Sequence, residues 1–389
     1  MADSNRLHSI NTSRIIRAIW LNPGISRIKV AEILDLDRST VTKIMQGILD
    51  RGIVVTAGKN RQQSGVGRRQ INLEINPDLG VVLGLEIQDA RFMAVIATVS
   101  GEVLHTFDGI GKVSREGLVS HAVSLIERAR EYVAGTGKTL LGVGIGLPGI
   151  VDPYSGLLIR SNSLGVCEPY AVRDEVSKRS GEYVFIENDA NCCCWAELAF
   201  RKTARARNFI AVLGEFRDLV SGSTAPHGIA VGLGLTVRER VLHGDHFTAG
   251  EFRAVGATPE SGQFSIPYSR FRELPDNRAL LREVYAELCD NLALLMNTVD
   301  FTKIVFTGDL PANRENLEEA MRRSIAGNWV YDLEREIEIE FSEYGTRSVS
   351  MGAAGLFVEK LFSVPDIADR FQELVGFDLY EHIIAAKGL

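Results

Sequence analysis

A chain of 389 residues, 45% apolar and 24% charged, exceeds the ~250 to 300 residues at which a single core stops growing, so two or three domains are expected. No apolar run approaches the ~18 residues needed to span a bilayer, and the polar start Met1-Ala2-Asp3-Ser4-Asn5-Arg6 lacks the pattern of a signal peptide; the expectation is a cytoplasmic protein with no membrane partner. Residues 1 to 76 hold twelve Lys and Arg against six Asp and Glu, a net of +6, so the remainder of a chain whose formal net charge is −7 carries −13. A basic head on an acidic body implies that only the head meets a polyanion. Of the five cysteines, Cys192, Cys193 and Cys194 are contiguous, which fits neither a disulfide framework nor a paired zinc motif; on a helix they read as small buried residues.

In the head, Ile15, Ile16, Ile19 and Trp20 recur at helical spacing behind Asn11-Thr12-Ser13, which offer N-cap residues, and Asn22-Pro23-Gly24 ends that helix. A second helix begins near Ser26 with Val30, Ile33 and Leu34 on its apolar face. After a tight turn at Leu36, Asp37 or Ser39 caps a third helix whose Val41, Ile44, Ile48 and Leu49 face inward. Two short helices joined by such a turn, behind a packing helix, make a helix-turn-helix. The outward residues of the third helix, Arg38, Ser39, Thr40, Thr42, Lys43 and Gln46, are hydroxyls and long donors suited to the phosphates and base edges of double-stranded DNA. Gly52-Ile53-Val54-Val55 and the alternating run from Gln70 to Ile75 form a hairpin wing, and Arg68 and Arg69 on its glycine-rich base suit a minor groove. Residues 1–78 are therefore expected to be a winged helix-turn-helix domain. A solvated linker with chance helical spacing is the bland alternative, and it leaves the agreement of helices, wing and charge unexplained.

The body opens with three strands, Val81 to Ile87, Arg91 to Val99 and Glu102 to Ile110, then an amphipathic helix from Leu118 to Val133 and a buried strand from Leu140 to Leu147. A helix near Tyr170 to Ser180 precedes the apolar run Tyr183 to Ile186. That run ends in Glu187-Asn188-Asp189-Ala190-Asn191, and a helical stretch from Cys192 to Phe200 follows. Polar side chains at the carboxyl end of a strand lie where open α/β sheets bind ligands. Asp189 can accept from a ligand hydroxyl while Asn188 and Asn191 donate and accept, a set suited to a polyol. Alternatively, Asn188 or Asp189 simply caps the next helix. A second α/β block runs on through strands at Phe209 to Leu213, Gly228 to Val241, Lys303 to Thr307 and Ile337 to Ser342. Its helices are Asn277 to Val299, Asn313 to Ile325 and Val349 to Leu361. Two α/β lobes with a ligand cleft between them are the natural reading.

From residue 80 to 362 the body resembles the ROK family of sugar kinases and sugar-responsive repressors. Four ordered blocks carry the resemblance: Gly142 to Asp152, Ser161-Asn162-Ser163-Leu164, Glu187 to Asn191, and Gly228 to Glu251. The resemblance implies an α/β fold with an actin-like ATPase body of two lobes, 79–190 and 191–365, the first completed by a C-terminal helix in 366–389. It implies a sugar site at Asn162, Asn188, Asp189 and Glu251, where the residue matching Asp189 is the general base in family kinases. With a DNA-binding head, the arrangement is similar to the repressor branch.

Departures from the family pattern bear on activity. Where family kinases carry Asp-x-Gly-Gly-Thr, this chain has Glu86-Ile87-Gln88-Asp89-Ala90, which puts side chains and the charge of Asp89 where phosphate oxygens would lie. The second phosphate turn, usually Thr-Gly, falls on Ile229-Ala230. Phosphoryl transfer depends on positioning and charge neutralisation, so no kinase activity, no catalytic residue and no cofactor are expected. The family's zinc histidine falls on Ala254, no cysteine cluster follows, and His243 and His246 read as solvated loop residues, so no metal is expected. The expectation is a sugar-responsive regulator, most simply a repressor, that binds an operator as a homodimer or tetramer. Two alternatives stand beside it: a sugar kinase with a DNA-binding head, and a regulator whose body only dimerises.

Overall fold

The computed structural model describes residues 2–56, 72–201, 206–217, 228–274, 276–365 and 374–388. The head comprises α1 (Ala2–Leu21), β1 (Ile25–Ser26), α2 (Arg27–Leu34), α3 (Arg38–Asp50), β2 (Val54–Thr56) and β3 (Asn72–Ile75). Its strands form one antiparallel sheet in the order β1-β3-β2. Ser26 caps α2 by accepting from Lys29 N, and Asp35, left-handed at φ 51°, closes it. Asn11-Thr12-Ser13 do not start α1 but lie inside it. Thr12 Oγ1 donates back to His8 O at 2.8 Å, and Ser13 Oγ accepts from Phe377 N at 3.0 Å. A hydroxyl can serve a helix interior as readily as its end when a carbonyl one turn back takes its proton. Ile33 is 51% exposed rather than inward. Val30, Ala31 and Leu34 face the core, and Ile33, the residue before Leu34, is rotated about 100° from it.

The first lobe contains β4 (Val81–Ile87), β5 (Arg91–Thr98), β6 (Val103–Ile110), α4 (Arg115–Ala134), β7 (Leu140–Leu147), β8 (Ile150–Asp152), β9 (Leu157–Arg160), α5 (Val172–Ser180) and β10 (Val184–Asn188). The second contains α6 (Asp189–Phe200), β11 (Phe209–Arg217), β12 (Gly228–Val237), β13 (Arg240–Val241), α7 (Arg278–Val299), β14 (Lys303–Gly308), α8 (Arg314–Asn328) and β15 (Glu338–Phe341). Both sheets have one plan. An antiparallel meander (β4-β5-β6; β11-β12-β13) is extended from its first strand by two parallel ones (β7, β10; β14, β15). The buried runs that read as strands in sequence are the central ones, β4 and β7, with every residue buried.

Helix α9 (Ser348–Leu361) returns to lie on the first sheet, packed along α6. Glycines make that approach possible. A Cβ at Gly144 of β7 would stand 1.8 Å from Ala353 O, and one at Gly352 1.7 Å from Cys192 O. The cysteine run is buried in this seam, as small residues there must be. Helix α10 (Gly376–Lys387) then bridges head and body. Arg51 reaches Glu381 at 2.6 Å, and Lys387 reaches Glu182 at 3.0 Å. Arg17 of α1 pairs with Glu359 of α9 at 2.6 Å, and Trp20 meets Phe362 with ring centroids 5.3 Å apart. One apolar cluster runs from Trp20 and Met45 through Leu379 and Ile383 to Phe357. Among the described residues no helix is long and apolar enough to cross a membrane.

Candidate ligand cleft and nucleic-acid face

A cavity of about 370 Å³ opens between the lobes. It is lined from the first lobe and α6 by Gly149, Ser161, Asn162, Ser163, Asn188 and Asp189, and from the second by Leu213, Glu215, Phe247, Glu251 and Gln263. The four residues of the sugar site that the resemblance implies, Asn162, Asn188, Asp189 and Glu251, lie on this one cavity, whereas Asn191, also read as a polyol partner, is buried away from it and donates to Glu187.

Each is positioned by its local fold. Strand β10 hands directly to α6, and Asn188 is the N-cap: its Oδ1 accepts from Asn191 N at 3.1 Å while its Nδ2 donates to Gly149 O at 2.9 Å. The capping and cavity-lining readings of Asn188 are therefore both realised. Asp189, the first residue of α6, accepts from Ala190 N at 2.7 Å, and the helix N-terminus favours its charge. Asn162 stands exposed in a turn closed by the Ser161–Val166 pairing. Glu251 enters through an isolated bridge to Gly232; it remains solvent-accessible in the open cleft, and the walls around it strip enough water to push its carboxyl pKa up. Gln263, for which the sequence offered no signal, braces this wall: it accepts from Val231 N at 2.9 Å and donates to Val231 O and Phe252 O.

Behind the cavity, Glu187 is fully buried. It accepts from Asn188 N (2.9 Å), Asn191 Nδ2 (3.3 Å) and Trp195 Nε1 (3.1 Å). His243 Nε2 stands 2.9 Å from its second oxygen. His243 is thus not a solvated loop residue. Its ring is buried edge-on to Tyr154, whose hydroxyl is 3.4 Å from Nδ1. A buried carboxylate needs several donors, and this one recruits a histidine from the other lobe. Among the described residues no group of three or more His, Cys, Asp or Glu could hold a metal ion.

The opposite end of the cleft, where the family's phosphate turns would fall, is filled by polar side chains that bond across it. Gln88 Nε2 donates to Glu86 Oε1 (2.6 Å) and to Glu215 Oε1 (2.8 Å). Arg91 Nη2 donates to Glu215 at 2.6 Å, and Arg91 Nε donates to Gln88 Oε1 at 3.0 Å. Burial, then the neighbouring Glu215, pushes the Glu86 carboxyl well above its ordinary pKa, with Arg91 pulling the other way. Ile229 and Ala230 line the adjoining wall.

On the head, Arg38, Ser39, Thr42, Lys43 and Gln46 of α3 are exposed, and Thr40 is half-buried. Asp37 occupies the N-cap position without a capping bond and accepts from Ser39 Oγ at 3.1 Å. Arg68 and Arg69 lie outside the described residues.

Residues 82–252 match the profile of the ROK family. Among curated relatives, a xylose repressor of Caldicellulosiruptor bescii is 27% identical over 253 residues, 64% of this chain and 59% of that protein. A xylose repressor of Bacillus subtilis is 23% identical over 256 residues, 64% and 61% respectively. The chain spans about three fifths of the length of these relatives. Among solved structures, a ROK family transcriptional regulator, a homolog of the E. coli MLC protein, overlays 98% of this chain and 99% of its own at a TM-score of 0.73 and 17% identity. A ROK family glucokinase from Streptomyces griseus, in complex with glucose and AMPPNP, covers 71% of this chain and 99% of its own at a TM-score of 0.54 and 18% identity. At these identities the likeness establishes the fold: the regulator matches head and body together, and the kinase a share the size of the body.

Proposed function

We propose that this protein is a sugar-responsive, DNA-binding transcriptional regulator, most simply a repressor, without kinase activity. The observation that carries the reading is the continuity from cleft to head. Asp189 and Asn188 head α6, α6 packs along α9, and α9 with the Phe362 that caps it holds α1 through Arg17–Glu359 and Trp20–Phe362. A sugar that binds one relative position of the lobes better than another would bias α9, and with it the head. The names of the xylose repressors favour the same role.

In this reading Asn162, Asn188, Asp189 and Glu251 hold sugar hydroxyls. A ligand without hydroxyls would leave them unpaired, at about 1 to 3 kcal/mol each. Asp189 then acts as an acceptor and not as a base, because the far end of the cleft offers no phosphate cradle. Arg38, Ser39, Thr40, Thr42 and Lys43 enter a major groove, Arg68 and Arg69 follow from the wing, and a homodimer spaces two heads over two half-sites. Losing Lys43 as a phosphate contact should weaken binding to all sequences and lower the salt slope by about 1. The test is a titration of a DNA fragment, selected by the protein itself from a random pool, with and without xylose and glucose. A shift in affinity with one of them supports the sensor role, and indifference to a broad sugar panel removes it. The kinase reading predicts sugar-dependent release of ADP from ATP that disappears in Asp189→Asn.

A further inference from the structure

The charge around the cleft narrows what it can take. Among the described residues that line the cavity there are three carboxylates, Asp189, Glu215 and Glu251, and no lysine, arginine or histidine. The cation beside it, Arg91, is committed: its Nη2 donates to Glu215 Oε1 at 2.6 Å and lies 3.8 Å from Glu86 Oε1. Gln88 Nε2, the other donor at this end, is taken by Glu86 and by both Glu215 oxygens, at 2.8 and 3.0 Å. Glu215 belongs to β11 of the second lobe, whereas Gln88 in the β4–β5 turn and Arg91 at the start of β5 belong to the first. A carboxylate carried by the protein thus receives the donors that an incoming phosphate would need. Among the described residues an anion arriving in the cavity would find no uncommitted cation, and it would face the carboxylates of Asp189 and Glu251 beside an Arg91–Glu215 pair already satisfied, so like charge would repel it.

We infer that Glu215 is a built-in anion that satisfies Arg91 and Gln88 across the cleft, so that the effector is an uncharged or amino-bearing sugar and phosphorylated or carboxylated sugars are turned away. The inference rests on the sugar-binding reading for its ligand but not for its charge assignment. Glu215 is the residue that sets the discrimination. Neutralising it frees a guanidinium and an amide at the old phosphate end and should admit an anion.

Titration calorimetry with one carbon skeleton in four charge forms tests the first part: glucose, glucosamine, glucose 6-phosphate and glucuronate, with xylose alongside. The two anionic forms should bind at least about tenfold more weakly than glucose, since 1.4 kcal/mol is a factor of ten. Binding of either as tightly as glucose would overturn the inference. A second arm needs no sugar. Inorganic phosphate at low ionic strength should raise the melting temperature of Glu215→Gln but not that of the unaltered chain or of the double variant Glu215→Gln/Arg91→Gln. Glu215→Ala repeats this arm should the first variant fold poorly. An equal phosphate response in the unaltered chain, or none in either Glu215 variant, contradicts the assignment. If all five sugars are silent while phosphate stabilises only the Glu215 variants, the charge assignment stands and the sugar-sensor reading falls.

Discussion

The two ends of the cleft have gone different ways. At one end Asn162, Asp189 and Glu251 line an open cavity backed by a buried Glu187–His243 pair. At the other, Gln88 and Arg91 cross from the first lobe to Glu215 on the second and close the space with the protein's own charges. A cleft that catalyses phosphoryl transfer must hold both partners, and cations must neutralise the charge that develops. Here one end presents amide and carboxylate side chains to the cavity and the other an ion pair already complete, the division that the proposed sensor role requires.

The sharpest way to break this comparison is to attack what both ends share. A Cβ at Gly144 would sit 1.8 Å from Ala353 O, so Gly144→Ala should force α9 off the sheet and destabilise the chain by about 3 kcal/mol or more, read by urea denaturation. Ligand binding should be lost with it. Next in size is the open end alone. Asp189→Asn replaces an acceptor with a part-donor at the head of α6 and should weaken sugar binding about tenfold to a hundredfold, with little change in melting temperature of the unliganded protein.

The closed end can be isolated by pH. Glu86 has a folded-state pKa raised above its unfolded value by burial and by Glu215. Between the two values the folded chain holds a proton that the unfolded chain has released, so this group's contribution to stability falls as pH rises. As pH rises above the ordinary carboxylate range, melting temperatures should therefore decline more steeply for the unaltered chain than for Glu86→Gln; parallel profiles would contradict the buried-acid account. The smallest effect concerns the link to the head. Arg17→Ala removes the pair with Glu359 and the packing of the guanidinium on Trp20, 5.7 Å away. It should cost about 1 kcal/mol by denaturation and reduce the sugar response of DNA binding more than DNA binding itself.

Much of this was legible in sequence because it is local. Ser26 capping α2, the unbroken apolar runs of β4 and β7, and the strand-to-helix handover at Asn188 and Asp189 all depend on neighbours a few residues away. The blocks that carry the family resemblance point to Asn162, Asn188, Asp189 and Glu251, and the structure sets these four on one cavity. What escaped was long-range polar pairing. His243 and Glu187 are 56 residues apart, and Gln88 and Glu215 are 127 apart. No periodicity links a carboxylate to a donor on another lobe, so a loop histidine read as solvated proved buried. At Glu86 to Ala90 the sequence shows lost glycines and the charge of Asp89, whereas Gln88 and Arg91 make the cross-lobe bonds. Helix α1 starts at Ala2, well before Asn11-Thr12-Ser13, because threonine and serine bond equally well inside a helix.

The account stands most directly on one calorimetric experiment, in which a saturating sugar and then Mg-ATP are titrated into the same sample of protein. It predicts a saturable heat for the sugar and none for the nucleotide, before or after the sugar is bound. Stoichiometric uptake of Mg-ATP, with heat continuing as ADP is released, would contradict it.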